Sequence, residues 1–410
     1  MEKQLIPNLR FPEFCDSYNN YVLNDALDLL TDFESNGSFA SVKENVNIYE
    51  KKNYAWYVRA TDLENDSGLD KVKYVDEHSY KFLKKTPLFG NELLITKRGE
   101  IGKVYFFKPE VNIKATVAPN MYLLKLNNLV EPKYVYYYFK NDKGNKKLKR
   151  INASTTIGAL YKDDVKSIKV NLPSLPEQQK IASFLTDVDN KITKLTKKKD
   201  LLEQYKKGIM QKIFSQELRF KDDNGNAFPK WEEKKLGEVA TFFSGGTPTS
   251  TNRSYYSGDI PFIGSGNISD DKVEKYITEE AISNSSAKMV EKGDILYALY
   301  GATSGEVSIS KINGAINQAV LCIRTTNNNY FIFQYLLMQK PKIISTYLQG
   351  GQGNLSANII KELKVKFPCL DEQTKIANFL SDIDEKIEAL NAKIENSKTF
   401  KKGLLQQMFV

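Results

Sequence analysis

The chain contains itself twice. Residues 158–215 align with residues 353–410 at a constant offset of 195, without a gap. Leu172-Pro173-Ser174-Leu175-Pro176-Glu177-Gln178-Gln179-Lys180-Ile181-Ala182-Ser183-Phe184-Leu185 returns as Phe367-Pro368-Cys369-Leu370-Asp371-Glu372-Gln373-Thr374-Lys375-Ile376-Ala377-Asn378-Phe379-Leu380. Lys206-Lys207-Gly208 returns as Lys401-Lys402-Gly403, and Phe214 as Phe409. Weaker echoes pair Leu9-Arg10-Phe11 with Leu218-Arg219-Phe220, the stretch 90–102 with 292–305, and 132–139 with 329–337. Such a period lies far outside the roughly 20–50 residues of solenoid repeats. It predicts two similar units, about 1–215 and 216–410, each ending in the same long helix.

Within each unit the first part is mixed. Short β-branched and aromatic runs lie between Gly, Asn, Asp and Pro, as strands do between turns. Leu93 to Thr96, Val104 to Phe107 and Tyr122 to Leu126 are examples, and Pro132 to Asn141 predicts a short helix. Ser174 with Glu177 three residues on suggests a capping box. Apolar residues then recur every seven positions. Ile181, Val188, Leu195, Leu202 and Ile209 form one line; Leu185, Ile192 and Ile213 form the other, broken by Lys199 and Lys206. The second copy has Ile376, Ile383, Leu390 and Leu404, with Leu380, Ile387, Ile394 and Met408, broken at Ser397 and Lys401. Two matched seams of this kind predict an antiparallel coiled-coil pair. Helices of about 38–40 residues would run about 57–60 Å. The expected fold class is α+β: two mixed α/β domains in pseudo-two-fold arrangement, separated by the two long antiparallel helices. Approximate two-fold symmetry suits a two-fold target such as duplex DNA.

A formal net charge of +9 favours an acidic partner, nucleic acid first. The three cysteines, Cys15, Cys322 and Cys369, are scattered, which predicts a reduced protein without a disulfide framework or zinc site. No run of about 18 apolar residues predicts a membrane span, and the N-terminus has no apolar signal core; the expected compartment is the cytoplasm. Parts of an enzyme are missing. The single histidine, His78, lies in a polar stretch read as a loop. There is no GxxxxGK[ST] phosphate loop, no dinucleotide fingerprint, and no Asn/Asp-Pro-Pro-Tyr run for a methyl donor. No metal site is expected. A nuclease would have to rest on Asp222, Glu232 and Lys234, a pattern a charged chain contains by chance.

What remains is binding chemistry. Residues 132–150 carry Tyr134, Tyr136, Tyr137, Tyr138 and Phe139, read as core. Lys147, Lys149 and Arg150 come after them, among the seven basic residues of 132–150 offset only by Asp142, and are read as phosphate contacts. Asn152, Ser154 and Thr155 follow, short polar groups suited to bases or phosphates. Gln349, Gln352 and Asn354 occupy the matching stretch of the second unit, where amides can read adenine. Thr96-Lys97-Arg98 and Ser244-Gly245-Gly246-Thr247-Pro248-Thr249 are further reading loops, with Arg98 the strongest candidate for a guanine contact. Tyr297, Tyr300 and Thr303 lie in the matching stretch 292–305 of the second unit and are read as further DNA contacts.

The chain resembles the specificity subunit of type I restriction-modification systems along nearly its whole length. The twin Leu-Pro-x-Leu-x-Glu-Gln-x-Lys-Ile-Ala-x-Phe-Leu helix starts carry the resemblance, with the twin Lys-Lys-Gly and the opening Leu236-Gly237-Glu238-Val239…Ser244-Gly245-Gly246-Thr247-Pro248. Unit one departs from that opening, with Leu23-Asn24-Asp25-Ala26 and Gly37-Ser38. The resemblance implies target recognition domains at 1–157 and 216–352, with spacer segments at 158–215 and 353–410. It implies a non-catalytic subunit reading two different half-sites across an unread gap of roughly 5–8 bp, the domains lying about one helical turn apart. The partners implied are double-stranded DNA, two modification subunits using S-adenosylmethionine, and restriction subunits using ATP and Mg. The seam residues Ile181, Leu185, Val188, Ile192, Leu195, Ile376, Leu380, Ile383, Ile387 and Leu390 are the expected helix–helix spacer. The competing expectations are a coiled-coil scaffold that touches DNA incidentally, and the Glu232/Lys234 nuclease.

Overall fold

The computed structural model describes residues 6–153, 159–347 and 354–410, with 151–153 by backbone only. It divides into two units: residues up to Leu195 together with Lys393–Val410, and Thr196–Ala392.

In the first unit a four-stranded antiparallel sheet orders Leu27–Asp32, Met121–Leu126, Leu93–Thr96 and Val104–Phe106. The runs read from sequence as strands are strands here. Leu93, Leu94 and Ile95 are all buried because the sheet is covered on both faces. Side chains alternate across a strand. Leu93, Ile95, Tyr122 and Leu124 therefore face the helices, while Leu94, Met121 and Leu123 face a second sheet. That second sheet has five strands around a parallel pair, Ala55–Val58 with Lys114–Val117. The second unit repeats the plan. Ala240–Ser244, Val320–Thr325, Ile295–Ala298 and Val307–Ile309 form the first sheet. Ile260–Ile263 and Gly314–Ile316 form the parallel pair of the other. Each unit also pairs a strand near its start with one just before its long helix: Asn19–Val22 with Lys169–Leu172, and Glu232–Lys235 with Lys364–Phe367.

The long helices run over Leu175–Phe214 and Leu370–Gln407. The start of each belongs to its own domain's core. Ile181, Ala182 and Leu185 pack among Tyr134, Tyr138 and Val170, and Val188 packs against the same core. Ile376, Leu380 and Ile383 pack among Phe331, Ile332 and Val365, with Ile387 against them. The same cores admit the opposite helix end, antiparallel: Leu404, Met408 and Phe409 in the first unit, Met210 and Ile213 in the second. Phe409 meets the Tyr134 ring at 5.1 Å, as Phe214 meets Phe331 at 5.4 Å. Ile192 and Leu195 are half-buried and Leu390 is buried.

The repeated Glu-Gln is not the capping device the spacing suggested. Glu177 is buried and accepts two hydrogen bonds from the Arg10 guanidinium, at 2.8 and 2.7 Å, and one from the Tyr18 hydroxyl. Glu372 accepts two at 2.7 Å from Arg219 and one at 2.9 Å from the Trp231 indole. Gln178 donates to the Pro173 carbonyl and accepts from the Glu131 amide; Gln373 does the same with Pro368 and Asn328. A bidentate guanidinium–carboxylate pair is the strong, directional form of such a bond. The Leu-Arg-Phe echo is thus half of a lock between each unit's first residues and its long helix.

Candidate nucleic-acid interface

At one end of each four-stranded sheet the loops converge in the same pattern. The Lys97 N–H donates to the Asn120 carbonyl at 2.8 Å, and the Lys97 carbonyl accepts from the Leu160 N–H at 3.2 Å. In the second unit Leu299 makes both bonds, to Ala319 at 2.8 Å and from Leu355 at 3.0 Å. Gly102, at φ 79°, and Gly305, at φ 88°, close the two loops by donating to Thr96 and Ala298. The left-handed backbone favours glycine at both.

The structure corrects the reading of four residues. Lys97 matches Leu299, so Tyr297 matches Ile95, a strand residue facing the core. Tyr297 is fully buried between strands and helices and offers nothing to a ligand. Thr96 is buried too: its hydroxyl donates to the Glu100 carbonyl and accepts from the Lys103 amide, holding the turn together. Lys97 points inward. Its ammonium lies 2.6 Å from Asp32 and 3.2 Å from Glu34, with the side chain only 4% exposed. Lys162 adds a second bond to Asp32 at 3.0 Å. Burial would raise the Asp32 carboxyl, but hydrogen bonds from Lys97, Ser35 and Lys162 win and hold it at about 2. Lys147 is the fourth. It donates at 2.6 Å to the Tyr138 hydroxyl and the Lys169 carbonyl, and burial pushes its ammonium below the usual lysine range. It fastens the basic helix Asp142–Ala153 to its own domain and is not free for phosphate.

The remaining candidates are offered to solvent. Arg98 is 61% exposed beside Glu34, at 3.5 Å, and Tyr300 stands at the equivalent place, 36% exposed. Lys149 and Arg150 are exposed on the basic helix. Thr249 and Asn354 are exposed, and Ser244 and Thr303 are half-buried at loop edges. Thr247 is exposed and donates to the Gln318 amide oxygen at 2.7 Å, bringing in a residue that sequence reading missed. The glycines before it serve packing. A Cβ at position 245 would lie 1.7 Å from the Ile316 carbonyl oxygen, and one at 246 would lie 2.6 Å from the Ser286 Cβ. The Asn152 side chain, Ser154, Thr155, Gln349 and Gln352 lie outside the described residues.

The nuclease constellation does not assemble. Glu232 and Lys234 are ion-paired to each other at 2.8 Å on an exposed strand. Asp222 accepts from the Asn224 and Asn226 amides in a turn. Among the described residues no three His, Cys, Asp or Glu side chains group to hold a metal ion, and no helix is long and apolar enough to cross a membrane. His78 stands in the first turn of a short helix, Glu77–Phe82, rather than in a loop; it is exposed, 3.2 Å from Asn45.

Residues 32–204 and 229–397 each match the model of the type I restriction modification DNA specificity domain. The chain is 30% identical over 366 residues to a Methanocaldococcus jannaschii protein named as the specificity subunit of type I restriction enzyme MjaX, covering 83% of both chains. It is 25% identical over 231 residues to the Escherichia coli EcoR124I/EcoR124II specificity subunit, covering 53% of this chain and 56% of that one. The crystal structure of a type I restriction-modification S subunit from M. genitalium shares the fold, with a TM-score of 0.64 at 17% identity over 99% of each chain.

Proposed function

As the chain belongs to the type I restriction-modification DNA specificity family, we propose that it reads a two-part DNA sequence, one half with each unit, on behalf of modification and restriction subunits. It is the DNA sequence-specificity subunit of such a system; the catalytic activities belong to the partner subunits. One observation carries the two-part reading. A single frame occurs twice, down to the Arg–Glu lock and the loop-closing glycine, yet its edge positions carry different side chains. Arg98 stands where the other unit has Tyr300. Hydrogen-bonding groups on base edges are what distinguish sequences, so equal frames with unequal edges support two different half-sites.

In this reading residues 1–157 and 216–352 are the recognition domains, and 158–215 and 353–410 are the spacer. Arg98, Lys149, Arg150, Asn152, Ser154 and Thr155 face the first half-site. Ser244, Thr247, Thr249, Tyr300, Thr303, Gln349, Gln352 and Asn354 face the second. Two modification subunits using S-adenosylmethionine assemble on the chain in the cytoplasm, and restriction subunits bring ATP and Mg chemistry. The test is to assemble the chain with its modification subunits, supply S-adenosylmethionine, and map the methylated adenines. The expected result is two dissimilar half-sites with an unread gap of roughly 5–8 bp. A continuous site, a palindrome, or methylation without sequence preference would overturn the reading.

A further inference from the structure

Two of the lysines that break the apolar seams, Lys206 and Lys401, are each bound to an aspartate of the other long helix, inside one unit. In the first unit Lys401 lies 2.6 Å from Asp189. In the second, Lys206 reaches both oxygens of Asp384 at 2.7 Å. Both pairs are repeat-related: Asp189 becomes Asp384 and Lys206 becomes Lys401 at the offset of 195. A charged residue at a seam position costs stability relative to an apolar one and specifies register instead.

Each aspartate also holds a third helix, the one packed beneath its domain's first sheet. In the first unit the Tyr137 hydroxyl, from Pro132–Lys140, donates to Asp189 at 2.8 Å. In the second, the Tyr330 hydroxyl and the Gln334 amide, from Asn329–Tyr347, donate to Asp384 at 2.6 and 2.7 Å. The donors differ between copies, tyrosine against tyrosine plus glutamine, while the carboxylate and the lysine do not. Gln334 is fully buried and the Asp384 side chain is 27% exposed, so this contact sits at the rim of the core. One carboxylate therefore ties both long helices to the helix that carries the recognition sheet.

We propose that Asp189 and Asp384 are positioning residues for DNA reading: each fixes the angle of its recognition domain on the long helices, and so fixes which gap between half-sites is accepted. This rests on the two-part reading above. One base pair of gap turns one half-site against the other by about 35°, so a loosened domain admits neighbouring gaps.

The experiment uses the full chain assembled with its modification subunits, and a DNA library with both half-sites fixed and the gap varied. A second library, with randomised half-sites, reads base preference. In the parent, a gap wrong by one base pair is expected to bind about tenfold more weakly or worse. Asp189→Asn and Asp384→Asn should each reduce that ratio to about threefold or less, with half-site bases unchanged. A uniform loss of affinity with the gap preference intact would show a merely structural role and overturn the proposal. Tyr137→Phe keeps the Asp189–Lys401 pair and removes only the domain tie. It should broaden the gap by itself, and an unchanged gap preference in a folded Tyr137→Phe protein overturns the proposal even where the aspartate variants unfold. The exchange Lys206→Asp with Asp384→Lys restores the helix–helix pair but sets an ammonium against Tyr330 and Gln334; its gap should stay broad. A parent that recognises no two-part site would instead refute the function proposed above, a distinguishable result.

Discussion

Lys97→Met separates a structural lysine from a DNA-contacting one. The Lys97 ammonium lies 2.6 Å from Asp32 in a buried setting. At an effective dielectric of about 20, the gross attraction of such a pair is about 6 kcal/mol, most of it offset by desolvation of both ions. Removing one partner of a buried pair typically costs ~3–5 kcal/mol, because the other charge is left behind. Here Lys162 still reaches Asp32 at 3.0 Å, which brings the cost below that range, to about 2–3 kcal/mol. For a unit of this size that is a fall in Tm of roughly 5–10 °C. Adding Asp32→Asn to Lys97→Met should recover part of it. The decisive assay is the dependence of DNA affinity on salt. A phosphate contact contributes about 0.9 to the slope of log affinity against log salt. Lys97→Met, assayed well below its Tm, should leave that slope unchanged. A slope lower by about one with the melting temperature unaltered would refute the inward placement of Lys97.

Lys149→Ala should lower the salt slope by about one, while Lys147→Ala should leave the slope alone and lower stability by about 1 kcal/mol, since it severs bonds to Tyr138 and Lys169; equal slope changes would refute the distinction. Arg98→Ala and Tyr300→Ala should each relax base preference in one half-site only, by about 1–3 kcal/mol for a bidentate arginine contact, as read from half-site libraries; a change in both halves would contradict the assignment. Asp32 titrates at about 2 in the folded chain against about 3.9 unfolded. Its folded value is depressed, so its contribution, about 2 kcal/mol, is present above pH 4 and lost as pH falls toward 2. Acid denaturation of Asp32→Asn should be correspondingly flatter over that window.

Much of this protein is legible in the order of its residues. The ungapped repeat implies two like units, because a duplicated sequence of this length has a duplicated lowest-energy fold. The seven-residue spacing implies paired helices, although the start of each seam is buried in its own domain's core, where it meets the end of the other helix. The continuous apolar and aromatic runs mark the strands of the doubly covered sheets. The family follows from the twin helix starts. Less legible is which polar residue faces where. Thr96, Lys97 and Tyr297 look like interface residues from composition. Tertiary structure turned them inward: Tyr297 lies on a strand covered on both faces, the Thr96 hydroxyl closes its own turn, and the Lys97 ammonium meets Asp32. Glu177 fits a local cap, and a long-range arginine, Arg10, competed successfully for it. Lys206 and Lys401 look like defects in a hydrophobic seam, and become the partners of Asp384 and Asp189 once the helices lie antiparallel. Local patterns depend on a few neighbouring residues and are written in the chain; the pairing of buried charges depends on residues 65 or more positions apart, which only the packed fold brings within hydrogen-bond distance.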